Sequence, residues 1–468
     1  MQMLTRTFCS AAAVALLATT GAQAQTARPS LTGTWTAAIG PIDFTFHLAD
    51  PAAGPRTATF DIPVQNVRGM TMQFTAPGDS VYLRIAQPSA KFAGRRSADG
   101  QQLLGEWQQG LRVFPLTLTR EGDPAKPSTA PRRPQKPQPP FPYLEADITF
   151  KNEKANVTLA GTYTVPADKS PFPAVVLLTG SGPEDRNGTI FGHQPFAVLA
   201  DYLARQGVVV LRFDDRGVGR SGGTLAGTTS ADYTADAQAA LAWLRAQPGI
   251  RQNQVGLLGH SQGGTAAIGA AIQPGGPDFL VLLAAPGLAG DELIVEQSLA
   301  LARLKTTDAA QLAAIEKQQR AMTRLIQQTP DNAQLRMQLL RLFDPAHTAT
   351  PQQLAQLEPQ LTAATSPDYR RLLADRPAET LAKVQCPVLA LGGSKDVQVP
   401  ATRNLAATTT ALQAGGNRDV MVQELPGLNH LFQTASTGGP EEYGTIEETF
   451  APQALQIIGS WIMQQSKK

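Results

Sequence analysis

The chain has 468 residues, 42% hydrophobic and 17% charged, and its 40 basic and 38 acidic side chains leave a net charge of +2. That balance gives no electrostatic reason to expect nucleic acid or an anionic membrane surface as a partner. The length allows two or more hydrophobic cores.

Met1 to Ala24 reads as an export signal. One positive charge, Arg6, precedes an apolar run from Phe8 to Ala18, and Ala22-Gln23-Ala24 offers a small-residue cleavage site. The run is short for a bilayer, and no later stretch is long and apolar enough to span one. A periplasmic or secreted location is expected. Cleavage removes a single arginine, leaving a charge of about +1. Cys386 is then the sole cysteine, so no intrachain disulfide can form.

Residues 25–121 read as a β-rich domain. Ile42, Phe44, Phe46 and Leu48 alternate with other residues, as do Val81, Leu83 and Ile85, then Phe114, Leu116 and Leu118. Turn signals such as Pro77-Gly78-Asp79 separate the runs. An antiparallel sheet with one buried face, closed or nearly closed, is expected. Leu31-x-Gly33-x-Trp35 and Leu103-x-Gly105-x-Trp107 put a leucine and a tryptophan on one face. Large apolar residues in a small barrel usually fill it, and a ligand cup is the alternative. His47 stands alone, and the partner of this domain is unknown.

Residues 122–142 form a linker: Asp123 to Pro142 carries eight prolines. Such a segment favours extended polyproline geometry and is read as a stiff spacer.

Residues 143–468 alternate apolar runs with amphipathic helices. Strands are expected at Pro173–Leu178, Val208–Phe213, Val255–Leu258, Phe279–Leu283, Pro387–Leu391 and Asp419–Leu425. Few polar positions interrupt these runs, so the sheet is parallel and covered on both faces, an α/β class of fold. Active sites in such sheets lie past the carboxyl ends of strands. There stands Gly259-His260-Ser261-Gln262-Gly263, a G-x-S-x-G nucleophile elbow between a strand and a small-residue helix. Asp396 follows the strand that ends at Leu391, and His430 follows the strand that ends at Leu425. An insertion at about 291–384, with Ile294, Leu301, Leu304, Leu312 and Ile315 at near-helical spacing, is expected to form a helical cap over the strand ends.

Two other chemistries fit poorly. Gly217-Val-Gly219-Arg-Ser-Gly222 matches a dinucleotide fingerprint in letters, but no helix opens there. The five histidines are scattered, with no zinc-binding spacing. No metal or cofactor is expected.

From roughly Phe141 onward the chain resembles the α/β-hydrolase superfamily, and more narrowly bacterial serine esterases close to serine-aminopeptidase-type hydrolases. The resemblance rests on Leu178-Thr-Gly-Ser-Gly-Pro-Glu-Asp-Arg-Asn-Gly188, Phe213-Asp-Asp-Arg-Gly-Val-Gly-Arg-Ser221, Gly259-His-Ser-Gln-Gly263, Gly393-Ser-Lys-Asp396 and Gly427-Leu-Asn-His430. A β-rich front domain occurs in some such esterases. The resemblance implies a Ser261, Asp396, His430 triad acting on a small-molecule ester or, alternatively, an amide or peptide. It places the oxyanion donors at the backbone N–H groups of Ser181 and Gln262, with Gly182 the alternative to Ser181. An amide-cleaving enzyme would need an acidic anchor for a free amine, which Glu184-Asp185 could supply; otherwise that pair is a solvated loop able to pair with Arg186. A non-enzymatic binding protein on the same scaffold is the third reading.

Overall fold

The computed structural model describes residues 30–465 apart from 40–41, 52–53, 63–66, 86–89, 110–111, 122–130, 169, 226, 345–347 and 349. The expected export signal and the first part of the linker therefore lie outside the described residues.

The period-two runs build eight antiparallel strands. They are β1 (Gly33–Ile39), β2 (Ile42–Ala49), β3 (Thr57–Ile62), β4 (Val67–Thr75), β5 (Ser80–Ile85), β6 (Ala90–Arg96), β7 (Gln102–Gln109) and β8 (Arg112–Arg120). Each pairs with the next, and β1 pairs with β8 to close a barrel. Alternate side chains point inward. Trp35, Phe46, Phe60, Phe92, Leu103 and Trp107 fill the interior, so both Leu–Trp pairs belong to the core. Phe60 is central, with ring centroids 4.9 Å from Phe46 and 5.5 Å from Trp107. On the outside, His47 is not alone: its Nε2 lies 3.0 Å from Asp61 Oδ2.

The second sheet has eight strands in the order β16-β15-β14-β13-β11-β12-β10-β9. Its parallel members are β11 (Phe172–Leu178), β12 (Val209–Phe213), β13 (Ile250–His260), β14 (Leu280–Leu283), β15 (Val388–Gly393) and β16 (Val420–Leu425). The antiparallel pair β9 (Tyr143–Asn152) and β10 (Val157–Pro166) extends one end. This pair was not expected from the sequence. In β9, alternation is broken by exposed Glu145 and Asp147, as suits an edge strand.

Helices cover both faces. α2 (Ser230–Arg245) and α3 (Gln262–Ala271) pack on one side with Leu241, Leu244 and Ile268. α1 (Pro195–Arg205) and the C-terminal helix Pro452–Gln465 cover the other with Leu199, Leu203, Ile458 and Trp461. A Thr229–Asp232 capping box starts α2. The insertion is helical as expected. α4 (Gly290–Arg303), α5 (Ala309–Gln328), α6 (Asn332–Phe343), α7 (Pro351–Ala364), α8 (Pro367–Ala374) and α9 (Pro377–Leu381) occupy it, and Ile294, Ile326, Leu335, Leu339, Leu361 and Leu373 share a small core. Of the periodic positions read from the sequence, Ile294 is buried there but Leu301 is exposed. Among the described residues, no helix is long and apolar enough to cross a membrane.

Replacing Phe60 by Ala removes the ring at the barrel's centre and is expected to destabilise that domain by about 3–5 kcal/mol. Denaturant unfolding followed through Trp35 and Trp107 fluorescence measures it, and an unchanged midpoint would contradict the packing described.

Candidate active site

β13 ends at His260 and α3 begins at Gln262, so one residue, Ser261, makes the whole turn. It does so at φ 53° and ψ −120°, in a region that side chains other than glycine rarely adopt. Such a conformation costs about 1–3 kcal/mol and must be held by its surroundings. The Ser261 N–H donates to Leu283 O at 2.8 Å. A Cβ on Gly259 would lie 2.3 Å from Gly263 O, and one on Gly263 would lie 2.3 Å from both Leu178 O and Thr179 O. Both positions therefore exclude any larger residue, and the elbow is locked against the end of β11.

The end of β11 supplies the second part of the site. The Thr179 hydroxyl donates to Asp215 Oδ1 at 2.7 Å. Asp215 Oδ2 accepts from Glu184 N at 3.2 Å, and Asp215 N donates to Glu184 O at 3.2 Å. Asp215 thus clamps both ends of the Thr179–Glu184 loop. Ser181, Gly182, Ser261 and Gln262 line one cavity. Gln262 opens α3, where the first N–H groups have no partner within the helix.

Asp396 and His430 come together from the loops after β15 and β16. His430 Nδ1 lies 2.8 Å from Asp396 Oδ2, and the two side chains are 6% and 0% exposed. Asp396 Oδ1 accepts from Gln398 N and Val399 N, each at 2.8 Å, which aims the carboxylate. Lys395 donates to the Ala435 and Ser436 carbonyls at 2.7 Å and ties the two loops together. Around His430, Asn429 Oδ1 accepts from Leu431 N and Gln433 N, and Asn429 Nδ2 donates to Gln433 Oε1.

His260 joins the two halves, and the sequence reading gave it no role. Burial, and then the charge of neighbouring His430, push it down to about 4. The ring is therefore neutral, and its Nε2–H donates to His430 O at 2.9 Å. Its ring centroid is 4.8 Å from that of His430. The residue before the elbow serine thus carries the imidazole loop. The only sequence signal was the identity of the second letter in G-x-S-x-G. Among the described residues no hydrogen bond joins Ser261 Oγ to His430; such bonds are often long in an enzyme without substrate.

Glu184 and Asp185 are not a solvated pair. Asp185 accepts from Asn187 N, Thr189 N and Thr189 Oγ1, which closes a turn. Arg186 pairs with Asp214 and Asp147 instead. Glu184 lies against Gly180, and burial first and Asp215 second push its carboxyl up to about 8. Neither acid lines the cavity beside Ser261.

That cavity holds about 580 Å³, within the usual range for small-molecule sites. Leu225 and Tyr233 form one wall. The cap contributes Leu293, Ile294, Tyr369 and Leu372, with Asp368, Arg371 and Asp375 among them. The insertion is therefore a cap over Ser261. The Gly217–Gly222 stretch is a turn, and the next helix starts only at Ser230. Among the described residues no group of three or more His, Cys, Asp or Glu side chains could hold a metal.

Parallel sheet, serine elbow and helical cap define a serine hydrolase of the α/β-hydrolase class. The family model described as X-Pro dipeptidyl-peptidase (S15 family) matches residues 152–423, more than half of the sequence, and the chain belongs to that family. Esterase EstD of Thermotoga maritima is 32% identical over 163 residues, which cover 34% of this chain and 36% of that protein. The chain thus spans about a third of the length of the curated relative it matches. Among solved structures, the Pyrococcus furiosus esterase Pf2001 is 16% identical, with 69% of this chain and 93% of that one covered at a TM-score of 0.41. The proline iminopeptidase of Mycobacterium smegmatis is 20% identical, with 68% and 98% covered at a TM-score of 0.42.

The Glu184 carboxyl holds its proton more tightly in the folded chain than in the unfolded one. Its contribution is complete below the ordinary value of 4.5 and is lost as pH rises through about 8. Glu184→Gln is expected to flatten the fall in unfolding midpoint across that window and to raise the midpoint at its alkaline end. Equal slopes for the two proteins would contradict this.

Proposed function

We propose that this chain is an exported serine carboxylesterase working through an acyl-enzyme. Ser261 Oγ attacks the ester carbonyl while His430 Nε2 takes its proton, and Asp396 holds the imidazolium through Nδ1. The Ser181 and Gln262 N–H groups receive the developing oxyanion. The tetrahedral intermediate collapses, and His430 returns the proton to the departing alcohol. Water then attacks the acyl-serine with His430 again as base, releasing the acid and restoring the serine. The observation that carries this reading is the buried 2.8 Å contact of His430 Nδ1 with Asp396, anchored through His260 to the residue beside Ser261. The similarity to an esterase over the matched segment supports an ester as the bond cleaved.

Family membership favours a second reading, an aminopeptidase or amidase with the same three side chains. Glu184 and Asp185 do not face the cavity, so the amine anchor would fall to the cap carboxylates Asp368 and Asp375, which do.

Ser261→Ala is expected to lower p-nitrophenyl ester hydrolysis by about 10³-fold or more while leaving the unfolding midpoint close to that of the parent. Full retention of activity would end the proposal. A higher kcat/KM on aminoacyl or X-Pro nitroanilides than on any ester of a graded acyl series would select the second reading. For export, the expected mature N-terminus is Gln25, read from the intact mass of protein recovered outside the cytoplasm; a full-length mass there would exclude cleavage.

A further inference from the structure

The described part of the proline-rich linker does not run free. Arg133 reaches into the catalytic domain and donates to three carbonyls, Phe191 O and Gly444 O at 2.8 Å and Ile446 O at 3.0 Å. Gln135 makes a two-sided contact beside it. Its Nε2 donates to Phe450 O at 2.7 Å, and its Oε1 accepts from Thr449 N at 2.6 Å and Phe450 N at 3.0 Å. Lys136 N donates to Arg133 O at 3.1 Å in a turn that holds both side chains, and prolines at 131, 134 and 137 restrict the backbone, so little entropy is lost on docking.

All but the Phe191 bond fall on the 440–451 loop, and that loop bears on the site by two routes. In the first, Thr449 Oγ1 lies 2.9 Å from His193 Nδ1, while His193 Nε2 lies 3.0 Å from Tyr443 O. Burial lowers the pKa of His193, and its Nε2 also lies 3.0 Å from Gln433 Nε2. Gln433 Nε2 donates to Glu448 O at 3.0 Å, and its Oε1 receives Asn429 Nδ2, whose own carbonyl holds the Leu431 and Gln433 N–H groups that follow His430. Ala451 N donates to Phe432 O at 2.8 Å, and the Phe432 and Phe450 rings stack at 5.5 Å. In the second route, the Tyr443 hydroxyl accepts from Gln398 Nε2 at 3.0 Å, and Gln398 N donates to Asp396 Oδ1.

We propose that the segment around Arg133 and Gln135 is a strap that positions the His430 and Asp396 loops, making both side chains positioning residues for the reaction. The proposal rests on the catalytic reading given above. The 440–451 loop has no strand or α-helix of its own beyond a single 3-10 turn at Pro440–Glu442. Five hydrogen bonds to it from two linker side chains supply the order that regular structure elsewhere supplies. Without them the loop is free to shift, and a displacement on the order of 1 Å at the base costs up to about 10²-fold in rate.

The experiment uses the full chain and the variants Arg133→Ala, Gln135→Ala and Lys136→Ala, the last an exposed neighbour. Each is titrated with a fluorophosphonate so that rates are expressed per competent serine. For Arg133→Ala and Gln135→Ala the expected result is a fall in kcat of about tenfold or more with KM within about twofold. The acid limb of the kcat/KM profile should move to lower pH, because a slacker Nδ1···Asp396 contact stabilises the imidazolium less. The groups facing His430, Asp396 and His260, are unchanged in these variants. Lys136→Ala should match the parent. Should Arg133→Ala not fold, Arg133→Lys, which keeps the charge and loses the planar fork, takes its place. Parental kcat per titrated serine together with a parental pH profile would overturn the proposal, whatever the unfolding midpoint does. That failure is distinct from failure of the catalytic reading, which Ser261→Ala alone decides.

Discussion

The fit between α3 and the end of β11 governs the rest of the catalytic domain. Gly263 lies so close to the Leu178 and Thr179 carbonyls that no side chain fits there. That approach forces the single-residue turn at Ser261 into its positive φ and puts the first N–H of α3 beside the Thr179–Glu184 loop. The strain at the serine is small against the burial it depends on: Leu177, Leu257, Leu258 and Leu282 in the strands beneath are essentially inaccessible. Stability in the sheet is thus spent locally, at one residue, where it creates reactivity.

Around that fixed point the loops are tied by polar side chains rather than by regular structure. Asp215 holds both ends of the Thr179–Glu184 loop, and Asn429, itself held by Gln433, binds the Leu431 and Gln433 N–H groups that follow His430. Such groups are costly to bury and are retained where their bonds are satisfied. Neutral His260 links the two sets, so the residue beside Ser261 is hydrogen-bonded to His430 itself.

The parts of this architecture that follow from periodicity were legible in the sequence. The six apolar runs became β11 to β16, and the alternating runs became a closed barrel whose interior tryptophans sit where the L-x-G-x-W spacing put them. Strand ends pointed to Ser261, Asp396 and His430, because a parallel sheet collects its functional groups at one rim. What could not be read is what depends on distant partners. β9 and β10 lie at the sheet's end, where charges interrupt alternation. Glu184, Lys395 and Arg133 look like solvated charges in one dimension, yet each is fixed by partners contributed from elsewhere in the chain. A charged side chain's environment is set by tertiary contacts, and local pattern carries no trace of it. In the cap, Leu301 kept helical spacing yet faces outward, because several short helices, not one long one, share a small core.

The two sheets also differ in how they can meet other molecules. Because β1 pairs with β8 through Trp35–Arg120 and Thr36–Thr119, the described strands of the N-terminal barrel close on themselves, and closure disfavours recruiting a partner by adding a strand. The catalytic sheet does end in open strands, but β9 carries Glu145, Asp147 and Lys151 along its length, which discourages edge-to-edge association between copies.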